Sequence, residues 1–251
     1  MENLIGNIRR FTRIMEEVTG EGFLYRVDLK LRPWGKSGPL VLTVEDTENY
    51  YSASMEAWER FIWLRARVIT GNKAIGHQLL KRLDPFVYRK SLSEVDLRRF
   101  LEIKSDMQMQ HRKAGNWNVK QGAGGIRDIE FFIQLLQIVN AHNESGLKTT
   151  NTLDVLGILH SKGFIQDGEA KQIRESYLFL RRLENHLQMI DERQTHHLPD
   201  DRAKRKLIAR SMIQAPETED ALGIFEEQLG LHQAVARNCF ERILPKNQLV
   251  Q

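Results

Sequence analysis

The residues best placed to do chemistry lie in one short stretch, Tyr25 to Val41, which reads YRVDLKLRPWGKSGPLV. Asp28 stands there between Arg26, Lys30 and Arg32, and Val27, Leu29 and Leu31 alternate with them. A period of two is that of a half-buried strand, so the charged residues share one face. A carboxylate among cations suits two uses. It can belong to a solvated strand face laced by cross-strand ion pairs, or to an active-site strand on which Asp28 holds a metal and the basic side chains hold phosphate oxygens. Breakers from Pro33 to Gly38 then lead into a second apolar run at Pro39 to Leu42. The spacing therefore predicts a hairpin-like strand pair over Phe23–Leu31 and Leu40–Val44.

A second stretch, Asn118 to Glu130, reads NVKQGAGGIRDIE. Gly122, Gly124 and Gly125 precede an apolar helical pattern at Ile126, Ile129, Ile133, Leu136 and Val139. Glycines at a helix start let backbone amides approach an anion, and the helix dipole favours it, although helix entry alone also explains them. Lys120 and Arg127 add positive charge, while Asp128 and Glu130 suit either a cap or a metal. Glu59, Arg60, Arg65 and Arg67 suit helix salt bridges or ligand contact equally. His186, His196 and His197 have no cysteine or carboxylate at ligand spacing and make no metal box. The HHLP stretch reads as a structured turn.

These residues need elements to hold them. Met1 to Gly20 reads as an amphipathic helix with Leu4, Ile5, Ile8, Phe11, Ile14 and Met15 on one face. Thr19 to Gly22 is a turn. Helical spacing runs from Glu48 to Val68, with Trp58 in the core, and again from Lys73 to Leu83, where Pro85 should stop it. Ser93 caps a helix to Met109, Gln110 to Trp117 is a polar loop, and Asn151 or Thr152 opens a helix to Ser161 that Gly163 closes. Asp167 to Arg193 carries a near-heptad seam of Ile173, Tyr177, Leu180, Leu183, Leu187 and Ile190. Arg202–Met212 and Thr218–Leu244 complete a helical bundle. The fold class expected is α+β, predominantly helical, divided into residues 1–115 and 116–251.

Composition narrows the classes further. A chain of 251 residues with 41% hydrophobic and 28% charged residues has ample core for a globular fold. Its net charge of +4 arises from Lys and Arg interleaved with Asp and Glu, without a basic block or an aromatic platform, which argues against nucleic acid. No apolar run nears the roughly 20 residues that span a bilayer, and the N-terminus lacks a signal peptide's apolar core. The single cysteine, Cys239, lies in an apolar-periodic stretch and reads as a buried thiol in a reducing cytosol. A cytoplasmic protein without membrane contact is expected.

The Tyr25–Val41 stretch resembles the VDLRLRP-x-G-x-SGPLV signature of the bifunctional glutamine synthetase adenylyltransferase/deadenylylase family. Later segments resemble the same family in the same order: Trp58-Glu59-Arg60 with Arg65-Ala66-Arg67, then Gly124 to Phe131, then Gln194 to Pro199. Arg65 departs from the family's usual lysine, which keeps the charge and changes the hydrogen-bond geometry. The resemblance implies an enzyme that moves AMP to or from a tyrosine of glutamine synthetase and removes it by phosphorolysis, with ATP, ADP and phosphate as substrates and Mg2+ as cofactor. It implies glutamine synthetase and the PII nitrogen-regulatory protein as partners. Asp28 would be catalytic and a metal ligand, with Glu130 a second ligand. Lys30, Arg32, Lys120, Gly124, Gly125 and Arg127 would bind nucleotide or phosphate. The wording YRVDLKLRP, KQGAGGIRDIEF and QTHHLP is nearer the N-terminal, deadenylylating half.

One part of that chemistry is missing. Enzymes of the wider nucleotidyltransferase superfamily clamp an in-line displacement with two magnesium ions, which demand several carboxylates. Asp28 matches the third aspartate of their set, but no Gly-Ser turn followed by Asp-x-Asp occurs. The chain is therefore expected to be a piece of the catalytic half, with weak or no activity alone. The other expectation is a non-catalytic helical module that binds glutamine synthetase or PII.

Overall fold

A computed structural model of the chain describes residues 2–89, 93–112, 116–191, 195–213 and 220–243. It divides into two compact units, Met1–Val87 and Tyr88–Gln251. The fold is predominantly helical, with ten α-helices among the described residues.

The expected strand pair does not form. From Phe23 to Thr43 the chain is turns, extended segments and one 3-10 turn at Gly35–Ser37, and the described residues contain only isolated bridges, Thr19 with Gly22 and Asn118 with His197. Two strands joined by a hairpin are marginal without further strands to bury one face. Here Phe23, Leu24, Tyr25 and Leu31 stay exposed, so the period-two pattern has nothing to cover it. Val44 opens a helix instead of closing a strand, because Thr43 accepts the Asp46 amide as an N-cap.

The first unit holds α1 (Glu2–Glu16), α2 (Val44–Ser54), α3 (Ala57–Trp63) and α4 (Lys73–Val87). The helix expected over residues 48–68 is cut at Met55 and Glu56. Glu56 and Glu59 form a reciprocal capping box that starts α3, in a position more often taken by Ser or Thr. Pro85 does not stop α4, which runs on to Val87. The end of the helix is tied down by the buried Arg60, whose Nε donates to the Val87 carbonyl at 2.8 Å, and Leu83 and Val87 are themselves buried. Trp58 is half-buried.

The second unit is a bundle of α5 (Glu94–Arg112), α6 (Ile126–Asn140), α7 (Thr152–Ser161), α8 (Asp167–Asp191), α9 (Arg202–Ile213) and α10 (Ala221–Glu241). Reciprocal bonds between Ser93 and Asp96 start α5, and Asn151 caps α7 through the Leu153 and Asp154 amides. α5 runs to Arg112, into the expected polar loop, of which residues 113–115 lie outside the described residues. The α8 seam is core: Ile173, Leu180, Leu183 and Leu187 are buried against α6, α7, α9 and α10. Phe225 and Leu229 of α10 and Ile129, Phe132 and Ile133 of α6 complete it. No helix is long and apolar enough to cross a membrane, among the residues described.

Candidate functional site

Each unit contributes one polar centre. In the first, Asp28 accepts the Lys30 amide at 2.8 Å, a local turn that leaves both side chains exposed. Arg32 is half-buried, and its guanidinium closes the following loop on itself. Nε and Nη2 donate to the Gly38 carbonyl at 3.1 and 2.9 Å, Nη2 reaches Lys36 at 3.3 Å, and Nη1 donates to the Leu29 carbonyl. The fork geometry of arginine suits such multiple capture.

A pair of divalent ions requires clustered carboxylates. Among the described residues no group of three or more His, Cys, Asp or Glu side chains gathers that could hold a metal ion, at Asp28 or elsewhere. This donor set does not fit a magnesium pair. Nearby, Glu59 is buried and accepts the Tyr50 hydroxyl at 3.1 Å and the Glu56 amide at 2.9 Å. Burial raises its carboxyl above the ordinary range, against the pull of those hydrogen bonds. Glu59 and Arg60 thus serve as a helix cap and a carbonyl partner.

In the second unit the glycine loop sits ahead of α6, as its sequence implies. Gly124 adopts φ +75°, and a Cβ there would stand 2.7 Å from the Gln233 carbonyl of α10. At Gly125 a Cβ would stand 2.6 Å from the Val119 carbonyl. The backbone amides that could receive an anion are engaged within the loop. Ile126 donates to Val119 at 2.9 Å, Arg127 to Lys120 at 3.0 Å and Gly125 to Gly122 at 2.9 Å, while Gly124 donates to the Asp128 carboxylate at 2.8 Å. Asn118, buried, receives the Lys120 and Gln121 amides at 3.0 and 2.9 Å. These amides are thus satisfied within the loop.

Asp128 is the loop's anchor. Its other oxygen lies 2.5 Å from Lys104 Nζ, with both side chains almost wholly buried, and the ammonium also sits over the Phe240 ring. Burial lowers Lys104 to about 8, with Asp128 pulling the other way. Burial raises Asp128, opposed by Lys104 and the Gly124 amide. Cys239 beside them is buried, and its thiol is pushed up to about 12, chiefly by desolvation.

Glu130 and Lys120 act toward residues of α8, and Arg127 is held by Glu130. Arg127 donates to Glu130 at 3.0 Å, and the Tyr177 hydroxyl donates to the other Glu130 oxygen at 3.3 Å. Two turns along α8, the buried Glu184 meets Arg181 at 2.8 Å and His196 at 3.2 Å. Burial would raise Glu184, but His196, Arg181 and Lys120 outweigh it and leave the carboxyl below its usual range. His196 and His197 belong to a short strap. Val119 donates to the His196 carbonyl at 2.8 Å, Leu198 donates to the Trp117 carbonyl at 2.9 Å, and Asn118 meets the His197 ring at 3.3 Å. The late histidines therefore hold the glycine loop.

The structure brings together Lys120, Gly124, Gly125, Arg127 and Glu130 in one unit, and Asp28, Lys30 and Arg32 in the other. Sequence reasoning passed over Lys104 and Glu184. Both had a signal. Lys104 follows Leu97 and Leu101 at helical spacing, and Glu184 falls on the heptad line of Tyr177, Leu180 and Leu187. A charge on an apolar stripe demands a buried partner.

A family model described as glutamate-ammonia ligase adenylyltransferase matches residues 6–82, and one described as PII-uridylyltransferase (GlnD) matches residues 98–244. The bifunctional glutamine synthetase adenylyltransferase/adenylyl-removing enzyme of Stenotrophomonas maltophilia strain K279a is 40% identical over 202 residues, which is 80% of this chain and 22% of that protein. Its counterpart in Aromatoleum aromaticum is 36% identical over 249 residues, 96% of this chain and 26% of the relative. The chain thus spans about a quarter of the length of these relatives. On these matches, which run through both units, the chain belongs to the bifunctional glutamine synthetase adenylyltransferase/adenylyl-removing enzyme family.

Proposed function

We propose that this chain is a portion of an enzyme that transfers AMP to and from a tyrosine of glutamine synthetase, and that it corresponds to the half that removes AMP by phosphorolysis. The observation that carries this reading is the identity to adenylyltransferase/adenylyl-removing enzymes across both units. In the intact enzyme Asp28 would offer a carboxylate to a metal completed by ligands from elsewhere, Lys30 would meet phosphate, and Arg32 shapes the loop that presents them. Lys120 and Arg127 supply the second unit's positive charge, with Glu130 orienting Arg127. Gly124 and Gly125 act by letting the loop pack. Magnesium, ATP, ADP and phosphate are the small-molecule partners, and the buried thiol of Cys239 suits a cytoplasmic working place.

Alone, the chain binds nucleotide without efficient turnover, because one aspartate cannot balance a metal pair. Calorimetric titration with ATP, ADP and AMP, with and without magnesium, tests this. Binding that weakens in Asp28→Asn is the expected result. No binding by the folded chain would refute the nucleotide reading, and brisk phosphate-dependent AMP release would refute the claim that the site is incomplete.

A second reading concerns the helical unit. The PII-uridylyltransferase model covers residues 98–244, a bundle with its own core. That favours a protein-docking role toward glutamine synthetase or PII. Pull-down with each partner tests it, and absence of capture at micromolar concentrations would count against it.

A further inference from the structure

Trp34 has the only positive φ, 58°, of any non-glycine residue described. A side chain bearing a Cβ resists the left-handed region, so the surrounding structure must impose it. Three features do so. Pro33 precedes it, the Arg32 guanidinium ties the Leu29, Lys36 and Gly38 carbonyls together on either side of it, and Gly38 closes so near that a Cβ there would collide with the Pro33 carbonyl. The result is a rigid loop with a bulky ring at its tip.

That ring is 55% exposed, yet it is not loose. It meets Tyr50 edge to face, with centroids 4.6 Å apart, and Tyr50 meets Tyr51 at 4.8 Å, which meets Trp63 at 5.3 Å. Tyr50 is in turn fixed by its bond to the buried Glu59. An aromatic column rooted in the unit's interior therefore ends in an open indole. Lys30 and Lys36, both exposed, belong to the same loop. A held, flat π surface on a loop that carries two exposed ammonium groups is complementary to a purine base carrying phosphates.

We infer that Trp34 is the stacking platform for the base of a purine nucleotide, with Lys30 and Lys36 receiving its phosphates. This rests on the nucleotide reading of the same unit and adds the residue that selects the base. Stacking tolerates any base in principle but strengthens with ring area, so AMP and ADP bind more tightly than CMP.

The test is a titration of the full chain with AMP, ADP and CMP, for wild type, Trp34→Ala, Trp34→Phe and Trp34→Gly, with a thermal melt of each. The expected result is a loss of roughly tenfold or more for Trp34→Ala, near-retention for Trp34→Phe, and weakened binding but no lowered melting temperature for Trp34→Gly, which adopts the left-handed backbone freely. Lys30→Gln with Lys36→Gln should flatten the salt dependence of binding. If wild type binds AMP and Trp34→Ala binds equally well, the platform is refuted while the nucleotide reading stands. If wild type binds no nucleotide, both fall. If Trp34→Ala leaves AMP affinity unchanged and instead weakens capture of glutamine synthetase, the ring is a protein contact and the inference is overturned.

Discussion

Replacing Lys104 by methionine isolates the buried pair that anchors the glycine loop. Methionine keeps the length of the side chain and a favourable contact with the Phe240 ring. It leaves Asp128 in the interior with the Gly124 amide as its remaining close donor. Breaking a buried ion pair by removing one partner costs about 3–5 kcal/mol, because the remaining charge loses its close partner and gains no water; for Asp128 the attraction of Arg237 remains. Lys104 and Asp128 are 3% and 2% exposed, so little solvent relief is available and the full range applies. For a unit of this size that corresponds to a melting temperature lower by roughly 10 °C. The sign with pH follows from Asp128. Burial already raises its carboxyl, and loss of Lys104 removes the main opposing influence. A group whose folded-state value is raised stabilises below its unfolded value and loses that contribution as pH rises. The deficit of Lys104→Met should therefore be small near pH 4 and full at pH 7. The double variant Lys104→Met with Asp128→Asn keeps an acceptor for Gly124 and removes the orphan charge, so it should recover most of the loss. Urea unfolding at both pH values measures this. A single variant within 1 kcal/mol of wild type at pH 7, or a double variant as damaged as the single, would refute the reasoning.

Gly124→Ala imposes a left-handed alanine against the Gln233 carbonyl and should cost about 2 kcal/mol in urea unfolding, whereas alanine at Gly157, where a Cβ meets nothing within 4 Å, should be neutral or stabilising. Glu184→Gln removes the carboxylate that holds Arg181 and His196; about 1–3 kcal/mol should be lost, with faster amide exchange at Val119 and Leu198. His186 and His232 accept or donate with Ser211 and Ser176 at 3.0 and 2.9 Å, and burial lowers both rings below the ordinary histidine value. Stability from these rings is complete above about pH 6.5 and declines as pH falls below it; the decline in the urea midpoint between pH 7.5 and 5.5 should be shallower in His186→Gln. Arg32→Lys cannot span the Leu29, Lys36 and Gly38 carbonyls, so limited proteolysis should cut between Leu29 and Gly38 faster than in wild type.

The helical half of the molecule was legible because its period is local. The Ile173–Leu187 seam, the Asn151 cap and the glycine turn before Ile126 each declare themselves within a few residues. The strand pair was misread because alternation specifies which face a residue would take, and says nothing of whether another strand is there to pair with. Pro85 misled for a related reason: the Arg60 side chain that supports the end of α4 comes from 27 residues earlier. The glycine loop was located correctly, yet its amides turned inward, since the carbonyls of Val119, Lys120 and Gly122 cannot be placed from residue types. Lys104 and Glu184 could have been found by asking why a charge interrupts an apolar stripe.

The strap of His196 to Leu198 has a consequence for the order of folding. Asn118 and His197 are 79 residues apart, so their bridge closes a ring of chain that contains α6, α7 and α8. Closing so long a ring before those helices have packed gains the two backbone bonds of Val119 to His196 and Leu198 to Trp117 against a large loss of chain freedom. The bridge should therefore form after the barrier, and weakening it should hasten unfolding while leaving the folding rate nearly unchanged. The strap is a latch: it governs how long the bundle stays shut rather than how quickly it assembles.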